Sequence, residues 1–120
     1  MKAKAIYFTT DAFYKLYRDC REEVLLNVPA SHNRIVEEQT HELMYRKIKR
    51  MPGKEAEIEP DDLVIYWRKE NLGTKKWTHE IDVLDWGYVK KVNEECRHVL
   101  TCGMKRPYRI VAICKKDLIE

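Results

Sequence analysis

Glycine and proline are scarce, with 4 of each in 120 residues. So few glycines leave no Gly-x-x-x-x-Gly-Lys phosphate loop, no Gly-x-Gly-x-x-Gly turn and no Gly-x-Ser-x-Gly elbow. Those absences argue against the common nucleotide-hydrolysing, dinucleotide-dependent and serine-hydrolase chemistries. Long apolar runs are also missing. Stretches such as Val24-Leu25-Leu26 and Ile110-Val111-Ala112-Ile113 fall far short of the roughly 20 residues that span a bilayer. The apolar start, Ala5-Ile6-Tyr7-Phe8, halts at Thr9-Thr10-Asp11 before it reaches signal-peptide length. Export by that route is not expected, and the chain reads as cytoplasmic.

Cysteine is sparse too. Cys20, Cys96, Cys102 and Cys114 are too few for a disulfide-built secreted scaffold and read as reduced, small apolar residues. Charge of one sign is lacking: the formal net charge is only +3, which suits solubility and barely favours an acidic partner. What the chain does have is 44% hydrophobic and 36% charged residues, too apolar for disorder and sufficient for one core. Residues 1–120 are read as a single domain.

Hydrophobic spacing predicts the elements. Lys4–Thr9 reads as a strand ending at a potential helix cap, Thr10 or Asp11. Phe13, Leu16, Tyr17, Cys20 and Val24 then recur at helical spacing until Asn27-Val28-Pro29. Ser31 offers a second cap, and Val36, Thr40, Leu43, Met44, Ile48 and Met51 carry a long helix to Pro52-Gly53. Its acids come early and its bases late, which complements the helix dipole. Lys54–Pro60 reads as a charged connector. Leu63–Arg68 and Lys76–Val83 flank a turn around Asn71-Leu72-Gly73, the signature of a hairpin. Asp85 is expected to cap a third helix with Val89, Val92, Cys96, Val99 and Leu100 on one face, and Tyr108–Cys114 reads as a last strand.

This order predicts an α+β fold of ferredoxin-like β-α-β-β-α-β arrangement, with the first helical segment split into two helices and helices covering one face of an antiparallel sheet. The rival is an α+β sandwich whose first two helices form an independent hairpin.

Several clusters could carry chemistry. Glu38 and His41 have the Glu-x-x-His spacing of di-iron bundles, but a single copy without matching ligands reads as a solvated helix flank together with Glu37 and Glu42. Cys96, His98 and Cys102 resemble zinc ligands in type; on a helix, positions two apart diverge by about 200°, so packing is the expected role. Asp11, Glu80 and Asp82, with Asp61 and Asp62 nearby, could gather around Mg²⁺ as in a metal-dependent nuclease. No cofactor is expected.

Two surfaces invite partners. Arg46, Lys47, Lys49, Arg50 and Lys54 cluster at one helix end around Tyr45, with Lys105, Arg106 and Arg109 elsewhere, a pattern that suits nucleic acid. Strand alternation places Tyr66 and Arg68 opposite Leu63, Ile65 and Trp67. That side is expected to face solvent and to anchor a protein partner, since Tyr and Arg are frequent hot-spot residues. Trp67, Trp77 and Trp86 are expected to serve mainly the core. The leading functional expectation is a non-enzymatic binding module acting on a protein partner, as a regulator or inhibitor would; nucleic-acid binding is the alternative.

Overall fold

The computed structural model describes residues 1–73, 76, 78–96, 98–102 and 109–118. Its elements run β1 (Lys2–Ala5), α1 (Thr10–Leu25), α2 (Asn33–Arg50), β2 (Lys54–Glu57), β3 (Leu63–Gly73), β4 (Thr78–Asn93), β5 (His98–Thr101) and β6 (Arg109–Cys114). One six-stranded sheet has the order β2-β1-β6-β3-β4-β5. Every neighbouring pair is antiparallel except β1 with β6, which is parallel. The sheet is therefore mixed, and the ferredoxin-like order is not confirmed; the α+β class is.

Local chemistry explains the helices. Thr9 caps α1 by accepting the Ala12 N–H at 3.1 Å, and Asp11 adds a negative charge to the first turn. The cap is one residue earlier than the sequence suggests. α2 begins after His32, whose side chain makes no capping bond, so Ser31 is not its cap. α2 ends where Met51 turns extended ahead of Pro52-Gly53. Gly53 is required there, because a Cβ would run into the Ala5 carbonyl of β1.

Both helices pack on one face of the sheet. Phe13 and Cys20 of α1 and Met44 and Ile48 of α2 meet Ile6, Phe8, Ile65, Leu84 and Ala112 in a first core. The sheet curls, and its other face encloses a second core of Ile58, Val64, Tyr66, Val89, Val99 and Ile113. The connector after β2 bonds across the curl to β4: Asp61 donates its N–H to the Val89 carbonyl at 2.8 Å, and Val89 donates to the Asp62 carbonyl at 2.8 Å. Each fully buried aliphatic side chain stabilises such cores by about 1.5–3 kcal/mol.

Two expectations fail here for identifiable reasons. The segment from Asp85 is not a third helix; β4 continues to Asn93, and residues 94–96 turn the chain into β5. Val89 and Val92 mimic helical spacing because the β4–β5 register shifts between Val89 and Lys91. That bulge brings two residues three apart onto the second core. The charged connector also contains a strand, β2, whose Lys-Glu-Ala-Glu sequence shows no apolar alternation because it is an edge strand.

Candidate functional site

α2 crosses the outer face of the sheet and leaves a groove along one flank. Glu38, Glu42, Tyr45 and Lys49 are spaced by four, three and four residues, so they form one stripe beside the apolar stripe of the helix. Opposite them stand Trp67 and Lys69 of β3, Glu80 and Asp82 of β4, and Arg109 of β6. A cavity of about 550 Å³ lies between these walls. A second recess of about 230 Å³ shares Tyr45, Trp67 and Arg109 and extends to Lys49. Combined, they fall within the size range of ligand sites.

Two half-buried rings form the middle of the groove. Tyr45 and Trp67 lie 5.4 Å apart between centroids with their planes tilted by 55°. A cation sits over each ring: Lys49 Nζ at 5.5 Å from the Tyr45 centroid and the Arg109 guanidinium at 5.5 Å from Trp67. Arg109 reaches Trp67 through a bulge. The β3–β6 register shifts between Ile65 and Tyr66, so that Trp67 faces Arg109 across the ladder. Without that extra residue Trp67 would face Ile110 and the cation would point to the other side of the sheet.

Charge changes along the groove. Glu38, Glu42, Glu80 and Asp82 line the first recess together with Lys69, while Tyr45, Trp67 and Arg109 are common to both recesses and Lys49 lines only the second. Asp82 joins Lys69 to Arg109. Lys69 Nζ lies 2.7 Å and Arg109 Nη2 3.2 Å from its Oδ1, and the Lys69 contact, reinforced by Arg109, holds the carboxyl below its ordinary pKa. Glu42 pairs with Arg46 at 3.7 Å and Glu38 with Arg34 at 3.3 Å.

The basic helix end divides. Lys47 pairs with Glu23 at 3.3 Å and Arg46 with Glu42, whereas Lys49, Arg50 and Lys54 are exposed where α2 passes into β2. Lys4 joins them by donating to the Lys49 carbonyl at 2.9 Å. Lys105 and Arg106 lie outside the described residues, as does Trp77.

The other sequence-derived candidates are placed differently. Tyr66 is not on a solvent face. It is 3% exposed in the second core, its hydroxyl meets Thr101, and burial pushes its pKa up. Arg68 is half-buried and ties β3 to β4 through Asp85 at 2.7 Å, with Glu70 at 3.5 Å. Alternation misleads here because the sheet is covered on both faces. Asp11, Glu80 and Asp82 do not converge, and no group of three or more metal-binding side chains gathers among the described residues. Asp62 serves the fold. It is fully buried, accepts the Glu59 and Lys116 N–H groups, and pairs with Lys115 Nζ at 2.7 Å. Cys20 and Cys114 are buried thiols, while Cys96 is exposed in the β4–β5 turn rather than packed on a helix face.

His41 is not on a solvated flank either. It is 7% exposed, and its Nδ1 accepts the Leu84 N–H at 3.0 Å. Its Nε2 lies 3.6 Å from Glu37, which also accepts the Tyr17 hydroxyl at 2.9 Å. Burial pushes His41 below its ordinary pKa and, with the Glu37 hydrogen bond, raises Tyr17 to about 12. This network binds α1, α2 and β4 together, and it caps a backbone donor on the part of β4 that β5 does not pair.

A separate cluster of rings lies where α1 starts beside β4. Trp86 makes edge contacts with Phe13 at 6.2 Å, Tyr14 at 5.9 Å and Tyr88 at 6.3 Å. Tyr14 and Tyr88 remain 54% and 38% exposed.

The chain matches no protein-family model, no curated protein and no solved structure. Among the described residues, no helix is long and apolar enough to cross a membrane.

Proposed function

We propose that this chain is a non-catalytic binding module that holds a ligand in the groove between α2 and the outer face of the sheet. The observation that carries this reading is the Tyr45–Trp67 pair, left half-buried with a cation over each ring. Both rings rest on the first core but are only partly covered by it, and large rings left partly open are frequent anchors of binding sites. A planar group can lie against them, and an anionic group attached to it meets Lys49 and Arg109. The complementary ligand is therefore an aromatic anion.

The test is two-dimensional NMR with a fragment panel of aromatic anions, aromatic cations and aliphatic anions. Aromatic anions are expected to shift the Trp67 indole N–H and the Arg109 Nε–H most strongly. If no fragment moves either signal, the groove reading fails.

A protein partner remains the second reading, and the exposed rings of Tyr14 and Tyr88 against Trp86 favour it. That surface replaces the Tyr66 and Arg68 face as the protein-docking candidate, because Tyr66 is buried. Tyr14→Ala with Tyr88→Ala would then abolish retention of a captured protein while leaving fragment binding in the groove intact.

A further inference from the structure

The polarity of the groove narrows the ligand class, an inference that rests on the groove reading above. The first recess carries the carboxylates together with Lys69, both recesses share Tyr45, Trp67 and Arg109, and the second adds Lys49 with no carboxylate. A nucleotide has the complementary parts: a base edge carrying N–H donors, a flat π-face and a phosphate. Carboxylates accept from exocyclic base amines, rings stack on bases, and Lys or Arg neutralises phosphate. The cationic end also continues past the groove. Exposed Arg50 and Lys54 follow Lys49, and Lys4 is bonded to the Lys49 carbonyl. A lone mononucleotide has no use for that extension, whereas the neighbouring phosphates of a strand do.

We propose that the groove seats one unpaired base of a single-stranded nucleic acid against the Tyr45–Trp67 pair, with the flanking phosphates running over Lys49, Arg50 and Lys54. A base within a duplex cannot reach the rings, so recognition is confined to single strands. Amine-bearing bases are preferred over uracil, because Glu42 and Glu80 can accept from an exocyclic amine, whereas uracil offers them its N3–H alone.

Fluorescence anisotropy with labelled short oligonucleotides tests this, using oligo(A), oligo(C), oligo(U) and a duplex of mixed sequence. Oligo(A) and oligo(C) are expected to bind more tightly than oligo(U), and the duplex least. Trp67→Leu and Tyr45→Leu should each weaken binding by about tenfold or more, the scale of one lost stacking contact. Arg50→Gln with Lys54→Gln should lower the slope of log affinity against log salt by about 1.4 for two phosphates. Circular dichroism checks that each variant is folded, and the Arg50/Lys54 variant, altered only on the surface, keeps the test sound if a ring variant unfolds. The inference is overturned if no single strand binds at low salt, if the duplex binds as well as single strands, or if the folded ring variants bind like wild type. If aromatic-anion fragments still shift Trp67 while no oligonucleotide binds, the groove reading stands and the nucleic-acid assignment falls. Capture of a protein that resists nuclease and is lost in Trp67→Leu also overturns the assignment and gives the groove to a polypeptide.

Discussion

Because the Leu84 N–H points at Nδ1 of His41, that nitrogen must be the acceptor and the ring proton must sit on Nε2, facing Glu37. A second proton would confront a backbone donor inside the fold. The folded pKa is lowered, so below the unfolded value of about 6.5 the unfolded chain takes up a proton that the native state refuses. The contribution is fully present above that pH and is lost as pH falls toward the folded value. Urea unfolding between about pH 7 and about pH 5 should show stability falling by at most about 1.4 kcal/mol per pH unit from this group. His41→Asn, which retains an acceptor, should flatten that slope; an unchanged slope would assign it to other groups. Tyr66 gives a second residue-level expectation. Tyr66→Ala should cost about 3–5 kcal/mol, as large-to-small changes in a core do, and Tyr66→Ala with Arg68→Ala should lower the melting temperature sharply. Trp67→Leu should cost less than Tyr66→Ala, since Trp67 lies at the groove. Chemical denaturation separates these values, and near-equal losses would place Trp67 in the core.

At the scale of elements, what was legible in the sequence depended on whether one local period ran unbroken. α1, α2, the β3–β4 hairpin and β6 could be read because their periods persist, although Thr9 caps α1 one residue early and no side chain caps α2. The second half of β4 could not, since its bulge at residues 89–91 imitates a helical step. β2 was hidden by its two-sided polarity. In the groove, Tyr45 and Lys49 were visible as part of the basic helix end, but the Trp67–Arg109 pairing depends on a bulge that leaves no mark in composition. Gly53 offers an element-level test, for it alone lets α2 turn into β2 against β1. Gly53→Ala should destabilise the protein by about 1–3 kcal/mol, the usual cost of overpacking. A melting temperature equal to wild type would show that the α2–β2 corner can shift away from Ala5.

Across the whole molecule, one sheet serves two cores, and β3 and β6 contribute to both. Neither core can melt while the other keeps its wall. Met44→Ala in the helical core and Val99→Ala in the enclosed core should each lower stability by about 2 kcal/mol or more. In both variants, tryptophan fluorescence and far-ultraviolet circular dichroism should report one coincident transition. Separate midpoints would show that the curl and the helical layer unfold independently. Asp62 spans the same distance by joining the β2–β3 connector to Lys115 beyond β6. Asp62→Ala should cost about 1–3 kcal/mol, because the Glu59 and Lys116 N–H groups lose their acceptor while Lys115 keeps Glu59 and the Glu57 carbonyl.

The run Leu63-Val64-Ile65-Tyr66 is buried along its whole length, with side chains entering both cores. In a sheet wetted on one side, a slip of one residue would drive polar groups inward and is heavily penalised. Here a slip merely exchanges one apolar face for another. Strand alignment must therefore be specified by contacts that tolerate no sliding: the Leu84 N–H on His41, the Val89 N–H on the Asp62 carbonyl, and the Arg109 guanidinium opposite Trp67. Hydrophobicity dictates that these strands lie inside, and a handful of polar atoms dictates which residue stands beside which.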